Sequence, residues 1–400
     1  MRIAGPGSRT VVAALGLVQI LAWGSSFYFP AVFAPPIVAE TGWPLSFVVG
    51  GVSVGLLVGG LISPQVGRLI AQHGGRPLLA ASSVLFALGL TGIGLAHNLP
   101  VYLAAWCVVG LGMGTGLYDA VFAALGRRYG SAARAAITTL TLFGGFSSTV
   151  CWPFSAFLLE AVGWRGACFV YAALHLCVAL PLQLLVMRDG AATRADTDAD
   201  AVRAAAPPAI AHERAIMIVL ALILSIAAGI GAIFVVHLIV FLQAQGIAFA
   251  AAVSLGMLFG PAQVAARFIE RLFGQRYHPV WTLLAATLLM LVGLALLLMS
   301  PWLVALAIIL YAAGYGVSWI ARGTLPLALF GAARYPVILG KLAFPSLIAQ
   351  ALAPTLGALL VERIGAVQTI AVLAAFAAAN VALMLGLWRL TAKSRDELSP

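Results

Sequence analysis

The chain has 400 residues, of which 63% are hydrophobic and 8% charged, with a mean hydropathy of +1.08. No soluble chain of this length needs so much apolar surface, so a soluble globular protein is excluded. The formal net charge is +10. All but four of the 22 Lys and Arg fall on or beside one side of the apolar runs, so the charge reads as an orientation signal and not as a nucleic-acid surface.

A helix crosses a hydrocarbon layer with about 20 apolar residues. Such runs occur at 10–38, 45–68, 77–97, 100–127, 134–160, 166–187, 214–243, 249–272, 279–299, 302–331, 337–362 and 366–390, numbered here as spans 1 to 12. They are Leu/Ala/Val/Gly runs without strict alternation, which favours helices over barrel strands. Span 1 is too long for the apolar core of a cleavable signal peptide. Pro30, Pro35 and Pro36 also stand where a small-residue cleavage site would be expected. Between spans 6 and 7, residues 188–213 hold Asp189, Asp196, Asp198, Asp200 and Glu213, and read as a polar cytoplasmic linker. The alternating aspartates lack the turn glycine and terminal glutamate of a calcium loop. Cys107, Cys151, Cys168 and Cys177 lie inside spans with no metal-ligand spacing, and read as packing residues.

The halves repeat in parallel at a spacing of about 200 residues, a pattern of two-half transporters. Leu158-Leu159-Glu160-Ala161-Val162-Gly163 answers to Leu360-Val361-Glu362-Arg363-Ile364-Gly365. Arg68-Leu69-Ile70 answers to Arg267-Phe268-Ile269, and Arg128-Tyr129-Gly130 to Arg334-Tyr335-Pro336. The expected domains are a six-helix bundle over 1–187, the linker over 188–213, and a second six-helix bundle with a short tail over 214–400. The expected fold class is an all-α membrane protein of twelve transmembrane helices in two pseudo-symmetric bundles. Lys and Arg flank the even-numbered spans and both ends, while Arg165 and Arg363 alone lie on the other side. That pattern places both termini in the cytoplasm.

Two such bundles joined by a longer loop resemble the major facilitator superfamily. The loop after span 2 reads Gly67-Arg68-Leu69-Ile70-Ala71-Gln72-His73-Gly74-Gly75-Arg76. The superfamily commonly has a glycine, an Asp-Arg pair, a glycine and a closing Arg there. Gly67, Gly74 and Arg76 fit, while Ala71 and Gln72 stand at the Asp and Arg positions. In the second half Glu270-Arg271 fall on Ala71-Gln72. The resemblance implies a cytoplasmic gate of Arg68, Ala71, Gln72, Arg76, Glu270 and Arg271. Span 8 carries Pro261-Ala262-Gln263-Val264-Ala265-Ala266-Arg267. Together with Gly163-Trp164-Arg165 and the Gly-rich span 2, this is similar to the oxalate/formate antiporter and monocarboxylate transporter branch. In the monocarboxylate carriers an Asp stands four residues before an Arg on this helix. The Arg binds the substrate carboxylate, and the Asp handles the coupled proton. Arg267 matches, and Gln263 replaces the Asp.

An ionised group inside a bilayer costs roughly 2.5–3.5 kcal/mol on insertion scales, so each needs a partner, water or a function. The candidates are Asp119 on span 4, Arg267 and Glu270 on span 8, Arg322 on span 10, and the histidines His175 and His237. Superposing the halves brings Asp119 within a residue or so of Arg322. These two read either as an anion or proton switch, or as a structural ion pair. Arg267 reads either as a carboxylate fork or as the partner of Glu270. His237 lies on span 7, a cavity helix by the resemblance, and His175 on a peripheral one. Aromatic residues cluster on the same cavity helices: Trp23, Phe27 and Tyr28 on span 1, Tyr118 on span 4, and Tyr311, Tyr315 and Trp319 on span 10. They read as a surface for an apolar or planar ligand, or as helix packing.

No phosphate-binding loop, nucleophile elbow or zinc motif is present, so no enzyme, cofactor or metal is expected. The expected function is secondary active transport of a small organic anion, a carboxylate, across the cell inner membrane. Proton coupling and exchange both fit, and the protein is expected to be a monomer with no nucleic-acid partner. The alternative is an exporter of hydrophobic drugs or metabolites.

Overall fold

The computed structural model of the chain describes residues 5–187 and 212–396. The linker aspartates lie outside the described residues. Every regular element among the described residues is helical: α1 (Gly5–Gly24), α2 (Phe29–Thr41), α3 (Leu45–His73), α4 (Gly75–Gly94), α5 (Leu99–Gly116), α6 (Tyr118–Tyr129), α7 (Ala133–Gly145), α8 (Ser147–Leu174), α9 (Leu180–Val186), α10 (Glu213–Ala244), α11 (Phe249–Gly256), α12 (Phe259–Phe273), α13 (Pro279–Met299), α14 (Val304–Ile364) and α15 (Ala366–Asp396). Hydrocarbon offers the backbone no hydrogen bonds, so apolar segments of this length satisfy their own amides as helix.

Nine helical stretches among the described residues are long and apolar enough to cross a membrane. Two are too long to cross once. Val304–Ile364 has 61 residues, which at 1.5 Å per residue is roughly three times the hydrocarbon thickness. Left-handed glycines cut the long stretches. Gly331 (φ 73°) divides α14, Gly163 (φ 69°) divides α8, and Gly130 (φ 55°) ends α6. Twelve crossing segments result, matching the twelve apolar runs.

The repeated segments 158–163 and 360–365 close on glycines of similar backbone. Gly163 (φ 69°, ψ 173°) and Gly365 (φ 89°, ψ 162°) each turn the chain into the next crossing. The Arg-Tyr correspondence does not hold. Arg128 and Tyr129 precede the turn glycine Gly130, whereas Arg334 and Tyr335 follow the equivalent glycine, Gly331. Counted from these turns, Asp119 lies 11 residues before Gly130 and Arg322 lies 9 before Gly331. A two-residue offset rotates a helical side chain by about 200°. The repeat therefore does not set these two charges at matching positions.

The chain divides into two compact units. Unit 1 comprises Met1–Ala206 and Leu329–Phe344, and unit 2 comprises Pro207–Ala328 and Pro345–Pro400. In unit 1, α3 and α5 cross on bare backbone. A Cβ on Gly110 would stand 2.6 Å from the Gly55 carbonyl, and one on Gly59 would stand 3.2 Å from the Gly110 carbonyl. Gly55 and Gly59, like Gly110 and Gly114, are four apart and share a helix face, which is how small residues pack helices in lipid. Leu329–Phe344 joins unit 1 by the same device. A Cβ on Gly340 would meet the Ser63 carbonyl at 2.5 Å, and the Tyr335 ring sits over Gly126. In unit 2 the core is Phe234, Phe241, Met290, Leu294, Ile308 and Tyr311, with the Phe234 and Tyr311 rings stacked at 3.8 Å.

Candidate functional site

In unit 1 the two spans that carry the aromatic candidates are interrupted. Span 1 breaks between α1 and α2, over Ser25–Tyr28, where the Tyr28 amide reaches back to Trp23 O at 3.0 Å. Span 4 breaks at Leu117, whose backbone is extended (φ −80°, ψ −173°). The sequence reading of span 4 as one continuous helix is corrected here. The Gly116 carbonyl takes a side-chain donor instead: Gln19 Nε2 donates to it at 2.7 Å. Tyr118 and Asp119 then begin α6, where the helix dipole favours a carboxylate in the first turn.

These breaks gather the aromatic candidates. The Trp23 ring lies 5.1 Å from Tyr118 and 6.5 Å from Tyr28, and Phe27 and Trp152 flank Tyr28. Tyr118 stacks on Phe122 at 5.1 Å, and its hydroxyl seats on Gly144, where a Cβ would collide with it. Tyr335, fully buried, lies within electrostatic range of Asp119. His175 begins a π-helical turn, is fully buried, stacks on Phe86 and shares a 2.8 Å hydrogen bond with Ser25 Oγ. It braces the break in span 1.

In unit 2 the arginines come together around span 10. Arg267 is 3% exposed and Arg322 4%. Arg267 Nε donates to Gly316 O at 3.0 Å, and its Nη2 donates to Gln263 Oε1 at 3.1 Å. Gln263 and Arg267 thus meet one turn apart on α12. Arg322 Nη1 donates to Ser346 Oγ at 3.0 Å, and the guanidinium lies 5.3 Å from the centre of the Trp319 ring. Trp319 packs edge-on against Tyr315 at 6.2 Å, and Tyr315 lies within electrostatic range of both arginines. Two planar donor forks and two aromatic rings therefore share one buried neighbourhood, a set suited to a carboxylate with an apolar or planar body.

His237 does not join this group. Its Nδ1 pairs with Ile233 O on its own helix at 3.1 Å, its ring lies over Phe241, and Gly357 of α14 leaves room for its Cε1. Tyr315 seats on Gly231, so His237 stands about 9 Å further along α10. Tyr311 belongs to the core stack.

The residues expected to form a gate lie at the end of α3, the start of α4 and the end of α12. Arg68 and Gln72 are exposed, while Ala71, Arg76 and Arg271 are partly buried. Arg127 Nη1 donates to Ile70 O at 3.2 Å, at the end of α3, and Arg128 Nη1 donates to Val186 O at 3.1 Å, at the end of α9. Cations at helix C-termini are favoured by the helix dipole, so these arginines tie unit 1 together where Ala71 replaces an acid. Glu270 accepts from Thr282 Oγ1 at 2.8 Å, which fastens α12 to the start of α13.

Several functional candidates escaped the sequence. Ser346 holds Arg322 from 24 residues away. Gln350, one turn further on α14, is 2% exposed with a buried Oε1 lacking a partner. Glu40 accepts from Trp164 Nε1 at 2.6 Å and from Arg165 Nε at 2.9 Å, while Arg165 Nη1 donates to Gly94 O and Ala96 O. Gly163-Trp164-Arg165 is therefore a clasp joining the ends of α2 and α4 to α8. The signal for Ser346 and Gln350 was an isolated polar residue in an apolar run, which is expensive to bury without a partner.

Known proteins share this architecture. A family model described as the Major Facilitator Superfamily matches residues 15–277. Monocarboxylate transporter 11 of Mus musculus is 40% identical over 132 residues, which are 30% of this chain and 29% of that protein. The match thus spans less than a third of that relative's length. The structure of the human organic anion transporter MFSD10 (TETRAN) has a TM-score of 0.72 at 15% identity, covering 95% of this chain and 100% of that one. The proton:xylose symporter XylE bound to 6-bromo-6-deoxy-D-glucose has a TM-score of 0.69 at 16% identity, covering 95% of both chains. At such identities the likeness is one of fold. With twelve crossings, a parallel repeat and a family match over more than half its length, the chain belongs to the Major Facilitator Superfamily of membrane transporters.

Proposed function

We propose that the protein is a secondary active transporter of a small organic anion, a carboxylate, in the cell inner membrane with both termini cytoplasmic. The observation that carries this reading is the pair of buried arginines, Arg267 and Arg322, about Tyr315 and Trp319. A guanidinium binds a carboxylate through two parallel N–H donors, and low dielectric strengthens that bond. In this reading Arg322 and Arg267 receive the carboxylate. Gln263 orients Arg267, and Tyr315 and Trp319 take the apolar body. If a proton is coupled, Asp119 is its carrier, because Gln263 stands in place of the acid. Transport in this reading proceeds by alternating access. The glycine contacts of Leu329–Phe344 with α3 act as a gate in place of the missing acid at Ala71.

The test is a thermal-shift screen of purified protein against carboxylates, amino acids, sugars and hydrophobic cations. A ligand at 100 times its Kd stabilises the folded state by about 2.7 kcal/mol, enough to be read as a shift in Tm. Stabilisation confined to carboxylates is the expected result. Stabilisation by hydrophobic cations alone would favour the second reading, an exporter of hydrophobic compounds, for which the Trp23–Tyr118–Tyr28 cluster is the supporting observation.

A further inference from the structure

Span 1 contains one amide-bearing side chain, Gln19, and it is 0% exposed. An uncharged amide buried in an apolar run costs free energy unless it is hydrogen-bonded, so packing alone does not explain its presence. Its partner lies 97 residues away, at the break in span 4. There the extended backbone of Leu117 removes the Gly116 carbonyl from the helical ladder, and the ladder of α6 begins with the Val121 amide on Leu117 O. A buried carbonyl left open costs about 1–3 kcal/mol. Gln19 Nε2 closes it at 2.7 Å. Gln19 Oε1 is buried with no hydrogen-bond partner among the described residues, so the amide is kept for that single bond.

The same turn is fixed from two other directions. Gly116 is backed by Ser82, whose Oγ would stand 2.3 Å from a Cβ there, and the Tyr118 hydroxyl is seated on Gly144. Trp23, one turn beyond Gln19 on the same face of α1, lies 5.1 Å from Tyr118. One face of α1 thus holds the last carbonyl of α5 and the first ring of α6, and Asp119 is the next residue.

We propose that Gln19 is a positioning residue for Asp119. By closing the Gly116 carbonyl it fixes the direction in which α6 leaves the break, and with it where the Asp119 carboxyl stands. The inference rests on the transport reading only for the importance of Asp119, and its test needs no substrate. Purified full-length protein is labelled with dicyclohexylcarbodiimide at one pH. The adduct at Asp119 is then measured by mass spectrometry relative to that at Glu160, an exposed carboxyl on α8. Gln19→Met removes the donor at similar volume, and the Asp119-to-Glu160 ratio is expected to change by about threefold or more, matching one lost hydrogen bond. Gln19→Glu, whose buried carboxyl is neutral and keeps an O–H donor of the same reach, is expected to restore the wild-type ratio. Should Gln19→Met fail to fold, Gln19→Asn, which draws the amide out of reach, takes its place with the same expectation. An unchanged ratio in the donor-lacking variant, zero included, overturns the proposal. So does a Gln19→Glu ratio that stays with the donor-lacking one. Failure of every carboxylate to bind would overturn the anion reading and leave this result standing.

Discussion

The two units use different chemistry on a repeated scaffold. In unit 1, spans 1 and 4 break in mid-course and present helix ends, a carboxyl at Asp119 and a cluster of rings. In unit 2, span 7 runs unbroken over Glu213–Ala244 and span 10 runs unbroken to Gly331, and they present side chains instead of backbone. The charge there comes from Arg267 and Arg322. The repeat thus preserves the turns, as Gly163 and Gly365 show, while the interior of each half has diverged. A guanidinium on a continuous helix is a fixed charge with directed donors. A helix broken at Leu117 supplies an extended residue and a carboxyl in the first turn beyond it.

This contrast is broken most severely by removing a guanidinium. Arg322→Ala and Arg267→Ala are expected to reduce carboxylate uptake into proteoliposomes by a hundredfold or more, at about 3 kcal/mol for a lost buried charge contact. Tyr118→Phe in unit 1 is expected to reduce it several-fold at most, near 1 kcal/mol for one hydroxyl. Uptake that survives both arginine changes and is lost in Tyr118→Phe would reverse the assignment.

Next come the glycine crossings. Gly110→Val places a side chain 2.6 Å from the backbone oxygen of Gly55, which cannot move aside. A destabilisation of about 1–3 kcal/mol or more is expected, read as lower Tm and yield. Gly340→Val meets the Ser63 carbonyl at 2.5 Å. It is expected to loosen Leu329–Phe344 from unit 1, seen as faster hydrogen exchange in that segment with the exchange of α5 unchanged. Equal exchange in wild type and variant would show that the contact bears no strain.

The smallest effect is expected at the surface clasp. The Glu40–Arg165 pair is 51% and 28% exposed, so Glu40→Gln should cost at most about 1 kcal/mol. Arg165→Ala should cost more, because it also gives up the bonds to Gly94 O and Ala96 O. Tm values in the opposite order would mean that charge, and not carbonyl capping, holds the clasp.

Hydropathy made the twelve crossings legible, since lipid leaves an apolar segment no alternative to helix. The resemblance to the monocarboxylate carriers singled out Gln263 four residues before Arg267, and the structure joins them. The breaks were hidden for a physical reason. Neither Ser25–Tyr28 nor Leu117 contains proline, and Gly112-Met113-Gly114-Thr115-Gly116 reads equally well as a packing face, which part of it is. Gln19 and Ser346 were hidden because their partners lie 97 and 24 residues away, and no local periodicity encodes such pairs. The mistaken Arg-Tyr correspondence shows the limit of matching short strings. The turn glycine sets the register, and it falls after one Arg-Tyr pair and before the other.

The central claim is that unit 2 recognises an anion through its two buried arginines. Equilibrium titration of the purified protein with the carboxylate that most raises its Tm tests it most directly, by comparing wild type with folded Arg322→Ala and Arg267→Ala. Saturable binding by the wild type, weakened a hundredfold or more in each variant, is the predicted result. A Kd unchanged in both variants would contradict it.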